Sequence, residues 1–213
     1  MIKILINFIF VLCLLPVVTS DCTCDDNVHN VVQAHSNKKL YPARISGFAG
    51  AVYDADFKPS CHDQRPNVLL PGFVTLTDGK LIVDRDFDLE KDSFLRLTIH
   101  GVDFDDPICL NGTSQYVVLP DNMCRINLCE FIGVPMCKIL QKKGTHTLKE
   151  LQKKLNFNTT LELPEPPSLL GLSLLDLFSG EFSFTFAVET AGETILELDI
   201  PTNHKNLQIG LED

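Results

Sequence analysis

The segment from Glu181 to Thr190 alternates apolar and polar side chains more strictly than any other part of the chain. Every second position is apolar: Phe182, Phe184, Phe186 and Val188. Because successive side chains of a β-strand point to opposite faces, this pattern predicts a strand with one face buried in a core. Ala191-Gly192-Glu193 then predicts a turn into a second strand from Thr194 to Ile200. We therefore expect a C-terminal antiparallel hairpin with one apolar face.

Similar signals occur earlier in the chain. A strand is predicted from Ser93 to Val102, where the apolar positions are Leu95, Leu97 and Ile99. Alternation also predicts a strand from Leu155 to Leu163, and the Asp78-Gly79 pair between two apolar runs favours a hairpin turn. The sequence shows no long amphipathic helix. The fold class predicted is all-β, with two packed sheets, and the periodicity leaves open whether they enclose a solid core or a cavity.

Residues 1–20 have the features of a cleavable secretory signal. Lys3 precedes an apolar run that ends at Pro16, and small or β-branched residues from Val17 to Ser20 occupy the cleavage region. The run is shorter than the roughly 20 continuous apolar residues of a membrane-spanning helix. We expect cleavage before Asp21 and export of the remaining chain from the cytosol.

Seven cysteines follow the predicted signal: Cys22, Cys24, Cys61, Cys109, Cys124, Cys129 and Cys137. In an exported chain they are candidates for disulfide bonds, although spacing alone does not assign the pairs and an odd number leaves at least one cysteine over. Two Asn-x-Thr sequons, at Asn111 and Asn158, are candidate glycosylation sites in the same compartment.

Charge and motifs argue against several functions. The formal net charge of −10 at pH 7 disfavours nucleic acid as a partner, because binding to phosphates needs clustered cations. The sequence contains no Gly-x-Ser-x-Gly elbow, and its six histidines are scattered. We expect no catalytic residue, metal site or cofactor. A hydrolase with an unrecognised site is kept as a minor alternative.

The segment from Pro164 to Gly180 departs from the strand pattern because it is dense in leucine. Its large apolar side chains include Leu169, Leu170, Leu174, Leu177 and Phe178. Apolar residues on nearly every side predict either a short helix or loop packed on a sheet, or an exposed lip that touches a lipid or a bilayer surface. Both interpretations are open from the sequence.

The order of motifs carries a family resemblance. A strand ending in Cys109 is followed by a cysteine-dense loop that closes with Cys137-Lys-Ile-Leu-Gln-Lys-Lys-Gly-Thr-His-Thr-Leu148. Leu161-Glu-Leu-Pro164 then precedes Ser179-Gly180-Glu181-Phe182, which opens the last hairpin. Over residues 67–202 this arrangement resembles the ganglioside-activator branch of the ML (lipid-recognition) family.

The resemblance implies an immunoglobulin-like antiparallel β-sandwich with a hydrophobic cavity between the sheets, disulfide-stapled loops, and a secreted or lysosomal location. It implies a protein that binds or presents a glycolipid, phospholipid or sterol without covalent chemistry, and that touches a membrane surface transiently. The cavity would be lined by Leu95, Leu97, Ile99, Phe182, Phe184, Phe186 and Val188. Its lip would be formed by Leu169, Leu170, Leu174, Leu177 and Phe178.

The domain organisation predicted from these features has four parts. They are a signal peptide (1–20), an irregular head (21–66), a lipid-binding β-sandwich (67–202) and a tail (203–213). The main alternative function is a secreted interaction protein with a filled core that acts through surface loops on a receptor or glycan. The acidic net charge also predicts repulsion from anionic bilayers at neutral pH, which carboxylate protonation in acid would weaken.

Overall fold

A computed structural model describes residues 23–36, 41–117, 119–163, 165, 168–169, 172–173 and 179–211. The predicted signal peptide and Cys22 lie outside the described residues, as do Leu170, Leu174, Leu177 and Phe178 of the predicted lip. The described chain is mostly β-strand, arranged as two principal sheets. The predicted all-β sandwich fold class is confirmed.

The first sheet, sheet I, is antiparallel. Its five strands are β1 (Val31–Ala34), β2 (Ala43–Tyr53), β5 (Gly72–Val83), β10 (Gly144–Thr147) and β11 (Thr160–Leu163). β2 pairs along one edge of β5, and β10 and β11 pair with the two ends of its other edge. β5 is therefore the central strand of the sheet, and β1 is added at its edge by pairing with β2.

The second sheet, sheet II, contains nine strands. They are β3 (Cys61–His62), β4 (Arg65–Val68), β6 (Ser93–Gly101), β7 (Cys109–Leu110), β8 (Thr113–Ser114), β9 (Arg125–Asn127), β14 (Gly180–Thr190), β15 (Glu193–Ile200) and β16 (Leu207–Ile209). β14 pairs antiparallel with β6 along its whole length and forms the predicted C-terminal hairpin with β15. β16 and β4 run parallel, so sheet II is mixed rather than purely antiparallel.

One hydrophobic core joins the two sheets. Its buried residues include Ala34, Ala43 and Val83 from sheet I, and Leu95, Leu97, Phe182, Val188, Leu196 and Leu198 from sheet II. At one edge the sheets also meet through the backbone, because the Thr202 amide donates to the Gln33 carbonyl at 2.9 Å. Apolar side chains from both inner faces therefore share the interior, as expected for a sandwich.

Three short helices lie between β9 and β11: α1 (Leu128–Ile132), α2 (Val134–Leu140) and α3 (Leu148–Leu155). The Cys129–Cys137 disulfide joins α1 to α2, and both sulfur-bearing residues belong to the buried core. α1 also contacts β6 and β9. α1 therefore lies at the end of sheet II where β6 begins, and α3 contacts β5 and β10 of sheet I.

The segments outside residues 67–202 differ from their prediction. Residues 21–66, expected to be an irregular head, contribute β1 and β2 to sheet I, and β2 pairs with β5 over most of its length. The expected tail, 203–213, contains β16 of sheet II. Both segments are structural parts of the sandwich, because β2 pairs with β5 and β16 pairs with β14 and β4.

Two local strand predictions are also wrong. Asp78-Gly79 does not turn the chain but lies within the continuous strand β5, opposite an irregularity in β2 that the backbone of Gly79, at φ 151°, accommodates. The strand expected from Leu155 begins only at Thr160, because Leu155 is the last residue of α3 and Asn156 ends that helix in the left-handed conformation, at φ 49°. Thr147 and Glu150 form a reciprocal capping box that starts this helix.

The leucine-rich segment contains a small antiparallel pair, β12 (Ser168–Leu169) and β13 (Leu172–Ser173). These described residues form neither a helix nor a strand of the two principal sheets. The interpretation of the segment as a lip stays a prediction.

Candidate functional site

The predicted cavity residues are brought together on neighbouring strands of sheet II. Across β6, β14 and β15 they form three rungs: Leu95, Val188 and Leu196; Leu97, Phe186 and Leu198; Ile99, Phe184 and Ile200. Phe182 extends the row opposite Gly101. The three β15 residues were not among the predicted cavity residues, although the alternation of their strand already placed them on one face. The result is one continuous apolar face that points toward sheet I.

Burial changes along this face. At the end near the start of β6, Leu95 and Val188 are each 7% exposed and Leu196 is 6% exposed. Two rungs farther along, Ile99, Phe184 and Ile200 are only partly buried, although they pack against the same core. A sandwich with a uniformly filled interior would bury equivalent inward positions alike. The apolar face is therefore closed at the α1 end and less completely covered toward its middle.

Five aromatic rings lie in a row along and beyond this face. From Tyr116 to Phe104, Phe182, Phe184 and Phe186, successive centroids are 6.1, 6.2, 6.3 and 6.1 Å apart. These spacings are within the range of interacting aromatic pairs. Phe104 and Tyr116 belong to loops and were missed in the sequence, because no strand periodicity marks them. They extend the apolar track from the interior to the loops after β6 and β8.

Gly101 makes room for this row. A Cβ atom at Gly101 would lie 2.8 Å from Cε1 of Phe182 and 2.5 Å from Cδ2 of Phe104. Both distances are shorter than ordinary carbon contacts, so any larger residue would push the rings apart. Phe182 itself is 3% exposed. The aromatic row is therefore tightly packed where Gly101 meets the rings of Phe104 and Phe182.

Charged and polar side chains form a hydrogen-bond network at the start of β14. Arg65 Nη2 donates to Glu181 Oε1, and Asn206 Nδ2 donates to Glu181 Oε2 at 3.1 Å. These hydrogen bonds, that from Arg65 first, lower the pKa of the Glu181 carboxyl, so it stays ionised into mildly acidic solution. Burial, and then the nearby Arg65, lowers the pKa of His204. The network ties β4, β14 and the segment before β16 together beside Phe182.

The outer face of sheet II carries ion pairs instead of apolar rungs. Arg96 Nε lies 3.2 Å from Glu189 Oε2, and Arg125 Nη2 lies 3.6 Å from Glu189 Oε1. The Arg125 guanidinium also lies over the Phe94 ring, 3.9 Å from its centroid. The polar and apolar sides of β6 and β14 are thus segregated as the alternation predicts.

Disulfide bonds staple the loops around this sheet. The pairs are Cys24–Cys61, Cys109–Cys124 and Cys129–Cys137, with Cα–Cα distances of 5.8, 5.6 and 5.7 Å. Six of the seven candidate cysteines are therefore paired, and Cys22 lies outside the described residues. Such bonds persist in oxidising compartments, so the protein has the chemistry of an extracellular or lumenal chain.

Both sequon asparagines lie at exposed positions. Asn111 is in the two-residue turn between β7 and β8, at φ 51°, and Asn158 lies between α3 and β11. The Asn158 Oδ1 accepts a hydrogen bond from the Thr160 amide at 3.0 Å. Their use as glycosylation sites stays a prediction.

A separate cleft of about 970 Å³ lies where β2 ends and β5 begins. Its lining includes Asp54, Asp56, Asp63, Leu69, Pro71 and Leu211, and it contains none of the predicted cavity residues. It is lined by loops and by the β3–β4 hairpin rather than by the inner faces of the sheets. The cleft and the apolar face are different features.

Within the described ranges, no group of three or more His, Cys, Asp or Glu side chains is placed to hold a metal ion.

Of the helices in the described part of the chain, none has the length and apolar character needed to cross a membrane.

No protein-family model matches the chain, and no curated protein matches its sequence.

Proposed function

We propose that the protein binds and carries a lipid, without covalent chemistry, between its two sheets. The observation that carries this proposal is the incomplete burial of Ile99, Phe184 and Ile200 on an inward apolar face. Apolar surface left in contact with water costs about 25 cal/mol per Å², which an inserted alkyl chain would recover. Binding sites for apolar ligands have this composition, with hydrophobic and aromatic side chains predominating.

The composition of the face favours a ligand with alkyl chains or fused rings, such as a glycolipid, phospholipid or sterol. Leucine, isoleucine and valine side chains provide aliphatic contacts for such a ligand, and the rings from Phe104 to Phe186 provide aromatic contacts. The charged groups described on β6 and β14 lie on the outer face or at the strand end, as Arg96 and Glu181 do. A ligand headgroup would accordingly stay at the surface.

The proposed setting is extracellular or in the lysosomal lumen. Three disulfides support an oxidising compartment, and the signal-like residues 1–20 support export. The same combination of a sandwich, stapled loops and an apolar inner face supports a relationship to ganglioside activators of the ML family. The leucine-rich segment that ends just before β14 would then act as the lip of the cavity.

Lipid should accompany the purified protein. We expect organic extracts of protein secreted by cultured eukaryotic cells to contain lipid in stoichiometric amount, and delipidated protein to bind a fluorescent fatty acid or phospholipid. Native mass spectrometry and fluorescence titration would measure the two. A secreted, folded protein that carries no lipid and binds neither probe would refute lipid carriage and favour a filled-core interaction protein.

Ile99→Trp distinguishes an open cavity from a filled core. In a cavity the larger ring occupies free space, so we expect probe binding to fall at least tenfold with little change in the free energy of unfolding. In a filled core the same change would destabilise the fold by about 1–3 kcal/mol through overpacking. Fluorescence titration and chemical denaturation give both quantities.

His100→Trp is the matched control for this substitution. His100 is the next residue of β6, is exposed and points to the opposite face of the strand. The His100→Trp substitution should therefore leave both probe binding and the free energy of unfolding unchanged. Equal losses of binding in the two variants would show that the inner face is not the binding site.

A further inference from the structure

Positive charge is concentrated in one segment of this acidic protein. Residues 131–155 contain six of the 18 basic residues, all lysines, but only one of the 28 acidic residues, Glu150. The segment comprises the end of α1, then α2, β10 and α3. This segment is therefore locally basic although the net charge of the whole chain is −10.

Helix α3 displays part of this charge on its outer side. Leu148, Leu151 and Leu155 are partly buried along one side, and Lys149 and Lys153, one turn apart, are exposed on the other. Lys154 is also exposed at the end of the helix. Among the residues that the structure describes, these three lysines have no carboxylate within the 4.0 Å of an ion pair. Their charge is available to a partner.

Apolar side chains lie beside the lysines of α2. Phe131 at the end of α1 is 63% exposed, and Val134 at the start of α2 is 47% exposed. Lys138 follows Val134 by four residues, so both lie on one face of α2. The Cys129–Cys137 disulfide fixes α1 against α2, and α2 contacts α3. The exposed apolar pair and the lysines therefore belong to one rigid part of the molecule.

Nearby carboxylates neutralise this region only in part. Glu90 lies 3.9 Å from Lys138 Nζ and Asp86 lies 3.1 Å from Lys142 Nζ, while Glu130 is exposed on α1. Both of the paired contacts are at the surface, where ion pairs are weak and screened. The excess of positive charge is greatest on α3.

We propose that this α1–α3 surface, defined by Phe131, Val134, Lys138, Lys142, Lys149 and Lys153, docks the protein on an anionic lipid bilayer. Lysines attract the charged headgroups, and an exposed aromatic and valine side chain can enter the interface between headgroups and acyl chains. An anionic polysaccharide would bind the lysines but would leave Phe131 and Val134 exposed to water. The inference rests on the proposed lipid carriage, because a lipid carrier takes its ligand from membranes, and this surface would hold the protein on a bilayer separately from the predicted lip.

Docking here would also orient the protein. Within this surface, α1 lies near the Ser93 end of β6, because it contacts β6 and β9, and α3 contacts β5 and β10 of sheet I. The chain enters β14 from the predicted lip at the other end, opposite Gly101. A protein bound through this basic surface has most of its carboxylates facing away from the anionic membrane. Its negative net charge therefore does not prevent attraction to that membrane.

Cosedimentation with vesicles tests the proposal. We expect binding to phosphatidylcholine vesicles that contain an equal amount of phosphatidylserine, little binding to phosphatidylcholine alone, and weakening as salt is raised. Lys149→Gln with Lys153→Gln should lower the partition coefficient about fivefold per lysine, or about 25-fold together. Phe131→Ala should lower it severalfold without removing charge.

Lys58→Gln with Lys205→Gln is the control pair, since it changes the net charge equally and both lysines are exposed outside the surface. An equal loss of binding in this pair, or absence of binding to the anionic vesicles, would overturn the proposal. So would heparin binding that persists in Phe131→Ala while vesicles are not bound. Titration with a monomeric fluorescent fatty acid needs no bilayer, so it separates failure of docking from failure of lipid carriage.

Discussion

Phe182→Ala is expected to destabilise the fold by about 3–5 kcal/mol, the cost of deleting a buried phenylalanine ring. Phe182 is 3% exposed, and its ring centroid lies 6.2 Å from that of Phe104 and 6.3 Å from that of Phe184. Removing it would leave a cavity between two rings whose backbones are held by β14 and the loop after β6. Urea denaturation monitored by circular dichroism would measure the loss.

Phe131→Ala is the control for this effect. Phe131 is 63% exposed, so truncating it should change the free energy of unfolding by no more than about 0.5 kcal/mol. A loss below about 1 kcal/mol for Phe182→Ala would mean that the aromatic row is loosely packed around Phe182 as well. That outcome would contradict the closed packing around Gly101.

Replacing both Cys109 and Cys124 by alanine is expected to cost about 3 kcal/mol, the chain-entropy value for a 15-residue loop. Both residues are at most 1% exposed, so the sulfur atoms also fill core volume. For a domain of this size the melting temperature should fall by about 6–12 °C. Calorimetry on the purified protein would measure the change.

The Cys129–Cys137 pair provides the comparison, because it closes a shorter loop of 8 residues. Its removal should cost less by the loop-entropy term, since that cost grows with the logarithm of loop length. Alkylation followed by peptide mass spectrometry would verify each bond in the native protein. Detection of free thiols at Cys109 and Cys124 would contradict the assigned pairing.

Strands with strong local alternation were predictable. β6 and β14 lie close to their expected positions, and the β14–β15 hairpin turns at Ala191-Gly192 as its residues indicate. In these strands one face is buried and the other is exposed to water, so the two-residue alternation follows directly from which face each side chain occupies. The inward positions predicted on these strands are the ones that the structure brings together.

Other elements carried a signal that was outweighed or overlooked. Asp78-Gly79 is a good turn sequence, but β2 pairs with both sides of it, and the continuous ladder keeps the chain extended. The capping pair Thr147 and Glu150 did mark the start of α3. Phe104 and Tyr116 had no such marker, because their place in the aromatic row depends on how loops fold against β14.

Alternation was sufficient to predict a β-sandwich with an apolar face on β6 and β14, and the cysteine content was sufficient to predict that it contains disulfide bonds. Folding in three dimensions decided the rest: the pairing of β2 with β5 and of β16 with β4, and the choice of cysteine partners. The physical reason is that a side-chain period specifies which face of a strand is buried. It does not specify which distant strand, cysteine or helix will cover that face.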